Sequence, residues 1–175
     1  MTSKLFPRLL GVLGIFLVMS VLFWCFVKFG LASQDGLAGD LVERLDGDPA
    51  RIQAYLDEMV SSILLAGIGA LLAAAILACL WLITIDRNPP HGDKSARGKR
   101  GSWAGLMLLA LIVTGGLFWF KVVGAPISAT LAPSVPLYAA AGALILVALG
   151  YWLSTGILAP ASTKVAIPGG SLLAR

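Results

Sequence analysis

The chain has 175 residues, of which 58% are hydrophobic and only 13% charged, and its mean hydropathy is +0.91. A soluble domain is nearer half apolar and a quarter charged, so one water-covered core of this size cannot hide the excess apolar surface. The formal net charge of +4 is carried by separate loops with no aromatic side chains interleaved, which sets nucleic-acid binding aside and leaves the charge as a topology signal.

Four stretches carry no charge: 9–27, 59–85, 101–120 and 122–163. A hydrocarbon layer about 30 Å thick takes roughly 20 helical residues to cross. Every backbone polar group there must be satisfied within the segment, and barrel strands would alternate polar with apolar residues, which these runs do not. In chain order, a short head, 1–8, holds Lys4 and Arg8. The first transmembrane helix is expected over 9–29, with Trp24 and Lys28 as interface anchors at its far end. The basic head, the apolar run and the small residues at 30–33 resemble a cleaved signal peptide. The run is longer than a signal core, however, and Lys28 directly precedes the small residues, so the helix is expected to stay.

Residues 30–59 form an acidic extracytoplasmic loop containing Asp35, Asp40, Glu43, Asp46, Asp48, Asp57 and Glu58. Asp48-Pro49 combines an N-cap carboxylate with proline at the first helical position, so an amphipathic helix is expected from about 49 straight into the second crossing. Its apolar stripe, Ile52, Tyr55, Leu56 and Met59, is a candidate partner-docking face.

The second transmembrane helix covers 60–85 and places Ala66, Ala70, Ala74 and Ala78 at every fourth position. Such a small-residue face lets two backbones approach where hydrophobicity cannot hold helices together. A basic cytoplasmic loop, 86–102, follows with Arg87, Lys94, Arg97, Lys99 and Arg100. The third helix covers 103–123 and ends on the anchors Trp119 and Lys121. Residues 124–136 carry Pro126, Pro133 and Pro136 and read as an extracytoplasmic loop, plain or re-entrant. The fourth helix covers 137–158, with a second small-residue face at Ala139, Ala143, Gly150 and Ser154. Residues 159–175 form a cytoplasmic tail.

Head, middle loop and tail hold nine basic residues. The intervening parts hold Arg44 and Arg51, with Lys28 and Lys121 at helix ends. That alternation places both termini in the cytoplasm. The expected fold is therefore an all-α membrane protein, a four-transmembrane-helix bundle with N and C termini cytoplasmic.

No catalytic, cofactor-binding or metal-binding residue is assigned. Cys25 and Cys79 differ in depth by about 20 Å on helices rising 1.5 Å per residue, beyond the roughly 7 Å Cα separation a disulfide allows. His91 stands alone where a transition metal wants three or four ligands. No carboxylate falls within the four helices, which removes the group a proton-driven antiporter needs. Ser20, Thr84, Thr114 and Ser154 are expected to bond to their own helix backbones. The function expected is a non-enzymatic multi-pass subunit or scaffold of a larger envelope assembly, for secretion, conjugation or transport, in the bacterial inner membrane. Its partners are membrane lipids and other membrane proteins or further copies of itself. A small permease or channel is the alternative, and a lipid-modifying membrane enzyme the second alternative.

Overall fold

A computed structural model describes residues 5–31, 48–123 and 134–169. The parts of the expected head, acidic loop, Pro-containing loop and tail at 1–4, 32–47, 124–133 and 170–175 lie outside the described residues. Among those described, 91% are helical and none is in a strand, and four helices are long and apolar enough to cross a membrane.

Helix α1, Leu5–Cys25, runs on into a widened π-helical turn, Phe26–Leu31. It starts four residues before the expected Leu9 and includes Pro7 and Arg8. The first N–H groups of a helix have no intrahelical partner, so a proline in the first turn removes no hydrogen bond. The same reason explains α5, Ser134–Leu158, which begins ahead of Pro136 and not after it.

Helix α2, Pro49–Arg87, is one continuous element of 39 residues. At 1.5 Å per residue it is about 58 Å long, nearly twice a hydrocarbon layer of about 30 Å. Asp48 caps it by accepting hydrogen bonds from the backbone N–H of Ala50 at 3.0 Å and Arg51 at 3.5 Å. The cap acts on the charged first turn of the extension, where Ala50, Arg51 and Gln53 are exposed. Asp48→Ala is therefore expected to cost about 1 kcal/mol locally. Hydrogen exchange should quicken at the amides of residues 50–53 and stay unchanged below Ile63.

The expected loop 86–102 is not a loop throughout. It contains a short helix, α3, Asp93–Gly98, which meets α4, Arg100–Phe118, at the single joint residue Lys99. Gly92 precedes α3 with φ +85°, a conformation glycine adopts without steric cost. Like α1, α4 ends in a π-helical turn, Trp119–Val123. After α5 the tail forms a 3₁₀ helix, Ala161–Ala166, that packs on α3.

Helices α2 and α5 pack on each other, and each also packs on both α1 and α4. The central pair accordingly buries 50% and 39% of its apolar windows, against 28% for α1 and 22% for α4. The outward faces stay apolar, with Leu17, Leu65, Ile112 and Ile145 each more than half exposed. Trp81-Leu82-Ile83-Thr84 and Trp152-Leu153-Ser154-Thr155 are each followed by a proline, Pro89 or Pro160, at the same spacing. α2 and α5 both end two residues before that proline, because the residue ahead of a proline is disfavoured in the helical region.

Candidate functional site

The eight small residues of the expected packing faces, Ala66, Ala70, Ala74, Ala78, Ala139, Ala143, Gly150 and Ser154, are all buried. What they pack against is not simply one another. Large side chains of α1 rest on glycines of the central pair. Phe16 and Met19 lie over Gly150, where an added Cβ would fall 3.0 Å from Phe16 Cε1 and 3.3 Å from Met19 Cγ. Phe26 covers Gly142, with its Cε1 2.7 Å from such a Cβ, and Phe23 covers Gly67 closely enough that a methyl group there would enter its ring. At that level Phe118 from α4 meets Phe23 edge-on, with ring centroids 6.4 Å apart.

A second aromatic layer lies toward the end of the bundle that carries Arg8, Arg87 and Arg100, here called the basic end. Trp103 donates its indole N–H to Thr155 Oγ1 at 2.9 Å, and Thr155 donates onward to the Tyr151 carbonyl at 2.7 Å. Tyr151 Oη lies 3.4 Å from the Trp103 carbonyl oxygen, with the two ring centroids 5.7 Å apart. Trp81 is fully buried, and its indole N–H has no hydrogen-bond partner among the described residues. Trp81 and Trp103 are turned into the bundle, at 0% and 4% exposed. The signal was present: Trp81 extends the alanine stripe three residues past Ala78, and Trp103 precedes the buried Ala110 by seven, on one helical face. Trp152 is half-buried against the core and donates its indole N–H to the Pro168 carbonyl at 2.7 Å.

Between the two layers the polar side chains turn to their own helices. Ser20 donates to the Phe16 carbonyl at 2.8 Å, Thr114 to Ala110 at 2.7 Å and Ser154 to Tyr151 at 3.1 Å; nearer the basic end, Thr84 donates to Leu80 at 2.8 Å.

At the far end, Lys28 and Lys121 are exposed and each sits in a π-helical turn. Trp24 and Trp119 are exposed beside them, at 44% and 64%. The candidate docking stripe is turned inward: Met59 is buried, and Ile52, Tyr55 and Leu56 are half-buried against the chain's own core. The outward side of that extension carries Arg51, Gln53, Asp57 and Glu58, with Gln53 donating to Asp57 at 3.2 Å. A narrow apolar crease nearby is lined by Val27, Leu31, Leu56, Met59, Val60, Ile63 and Val135. Cys25 and Cys79 are free thiols, His91 is exposed, and no three His, Cys, Asp or Glu side chains gather among the described residues. No family model, no curated protein and no solved structure matches the chain.

Proposed function

We propose that this protein is a multi-pass subunit or scaffold of a larger assembly in the bacterial inner membrane, without enzymatic activity of its own. Both termini and the basic end face the cytoplasm, and the acidic extension of α2 faces outward. The observation that carries the reading is how the middle of the bundle is filled. Small residues close α2 on α5, phenylalanines of α1 occupy the glycine positions, and aromatic layers lie at two levels along the axis. Functional contacts then fall to the surfaces, namely apolar flanks for lipid or neighbouring helices and a polar, acidic face on the α2 extension. The orientation follows from the excess of Lys and Arg at one end.

Chemical crosslinking in native membranes, then extraction in mild detergent and mass spectrometry of what is retained, tests it. Specific larger partners or a defined homo-oligomer are expected. A strictly monomeric, partner-free chain would retire the proposal.

A second reading is a small permease acting by a path between the helices. It requires the Phe23–Phe118 and Trp103–Tyr151 layers to separate. Its measure is solute flux into liposomes holding the purified chain, which Phe23→Ala should raise.

A further inference from the structure

We infer that the basic end is a binding surface for anionic phospholipid headgroups, organised by the docking of the tail on the middle loop. The inference rests on the reading of the four helices as membrane-spanning.

Three separated parts of the chain meet here. Arg8 lies in the second turn of α1 and Arg87 is the last residue of α2. Lys94 and Arg97 stand on α3, Lys99 is its joint to α4, and Arg100 opens α4. The tail adds Lys164 on its 3₁₀ helix. Against these seven cations the same segments carry Asp86 and Asp93. The loop and tail are fastened together: Arg100 donates to the Val165 carbonyl at 3.2 Å, Trp152 donates to the Pro168 carbonyl at 2.7 Å, and α3 packs on the 3₁₀ helix. Gly169, at φ +71°, makes the turn just after that carbonyl, where an added Cβ would lie 3.5 Å from the Trp152 ring.

Ala96 of α3 is fully buried, while Lys94, Arg97 and Arg87 are exposed. The short helix is therefore a ridge with its apolar side down and its cations out. Lys94 and Arg97 are three residues apart on one helical face, where like charges repel; an anion between them relieves that repulsion.

Depth decides the kind of anion. Arg8, Arg87 and Arg100 lie within a turn or two of the ends of the long apolar helices, at headgroup level, and the tail packs on α3 with Ala166 and Ile167 buried. Cations so placed meet lipid phosphates before they meet a soluble partner. Each cation beside an anionic membrane surface raises association roughly fivefold.

The test uses the full-length chain reconstituted in phosphatidylcholine vesicles doped with spin-labelled phosphatidylglycerol or spin-labelled phosphatidylcholine. The fraction of each label immobilised by protein is measured by electron spin resonance. A several-fold preference for phosphatidylglycerol is expected. It should fall close to parity in the variant Arg87→Gln/Lys94→Gln/Arg97→Gln/Lys99→Gln and persist in Lys28→Gln/Lys121→Gln at the opposite end. Equal immobilisation of both lipids by the native chain overturns the inference, as does a preference the four-fold variant keeps. Absence of lipid preference together with binding of soluble polyglutamate assigns the ridge to an acidic protein and also overturns it. An alkaline carbonate wash of the same vesicles separates the two readings. Loss of the chain from the vesicles overturns both, whereas retention without lipid preference overturns this one alone.

Discussion

Gly67→Ala is expected to destabilise the bundle by about 1–3 kcal/mol, whereas Gly69→Ala, two residues away on the same helix, is expected to stabilise it. Both substitutions gain up to about 1 kcal/mol from helix propensity, so the sign rests on what the new methyl group meets. At Gly69 it lies 3.7 Å from Leu117 Cδ1, an ordinary contact. At Gly67 it enters the Phe23 ring, with Cδ1 at 2.7 Å. That ring cannot simply swing aside, because it is fully buried with Phe118 edge-on at 6.4 Å and Phe26 at 6.5 Å. Inserting a methyl group into such a site costs typically 1–3 kcal/mol through off-rotamer side chains and helix displacement.

The check is the unfolding midpoint of helical circular dichroism in mild detergent for both single variants. A double-mutant cycle with Phe23→Leu should recover part of the loss, because contacting residues couple by about 0.5–3 kcal/mol. Equal midpoints for the two alanine variants would show that Phe23 does not sit over Gly67.

Trp103→Ala is expected to be the most damaging single truncation, at about 3–5 kcal/mol, the range for removing a large buried aromatic. It deletes the ring tilted against Tyr151 and the N–H that ties α4 to Thr155 on α5. Trp103→Phe keeps the six-membered ring and loses the cross-helix bond together with the packing of the indole's second ring. Thr155 Oγ1 still donates to the Tyr151 carbonyl, so no buried donor is stranded on that side. The lost bond contributes about 0.6 kcal/mol, the average for interhelical hydrogen bonds in membranes, and the whole cost should stay below that of Trp103→Ala. Trp81→Phe is the counterpart. Its indole N–H is buried without a partner among the described residues, and such a donor costs about 1–3 kcal/mol. Removing it offsets much of the lost packing, so Trp81→Phe should be near neutral. The three variants are compared by the same unfolding midpoints. A Trp81→Phe loss as large as that of Trp103→Ala would show that the Trp81 N–H has a strong partner.

The tail's docking on α3 is hidden in the sequence, since Arg100 and Val165 are far apart in the chain and their bond is side chain to backbone. The inward turn of Ile52, Tyr55 and Leu56 shows the limit of an apolar stripe as a signal. Periodicity says that one face avoids water, and only the neighbouring elements say what covers it.

By itself the sequence determined four long apolar helices, the Asp48 cap, the continuity of α2 through its charged extension, and the hydroxyls that turn back on their own helices. Each of these depends on interactions within a few residues or on the cost of placing charge in oil, and both are written locally. Only the tertiary structure decided that α2 and α5 form the central pair, that Trp81 and Trp103 are buried within the bundle, and that phenylalanines of α1 fill the glycine positions. Helices apolar on every side carry little amphipathic contrast between a lipid-facing and a protein-facing residue. Their orientation is therefore set by which shapes fit together, and fit appears only when all the helices are present.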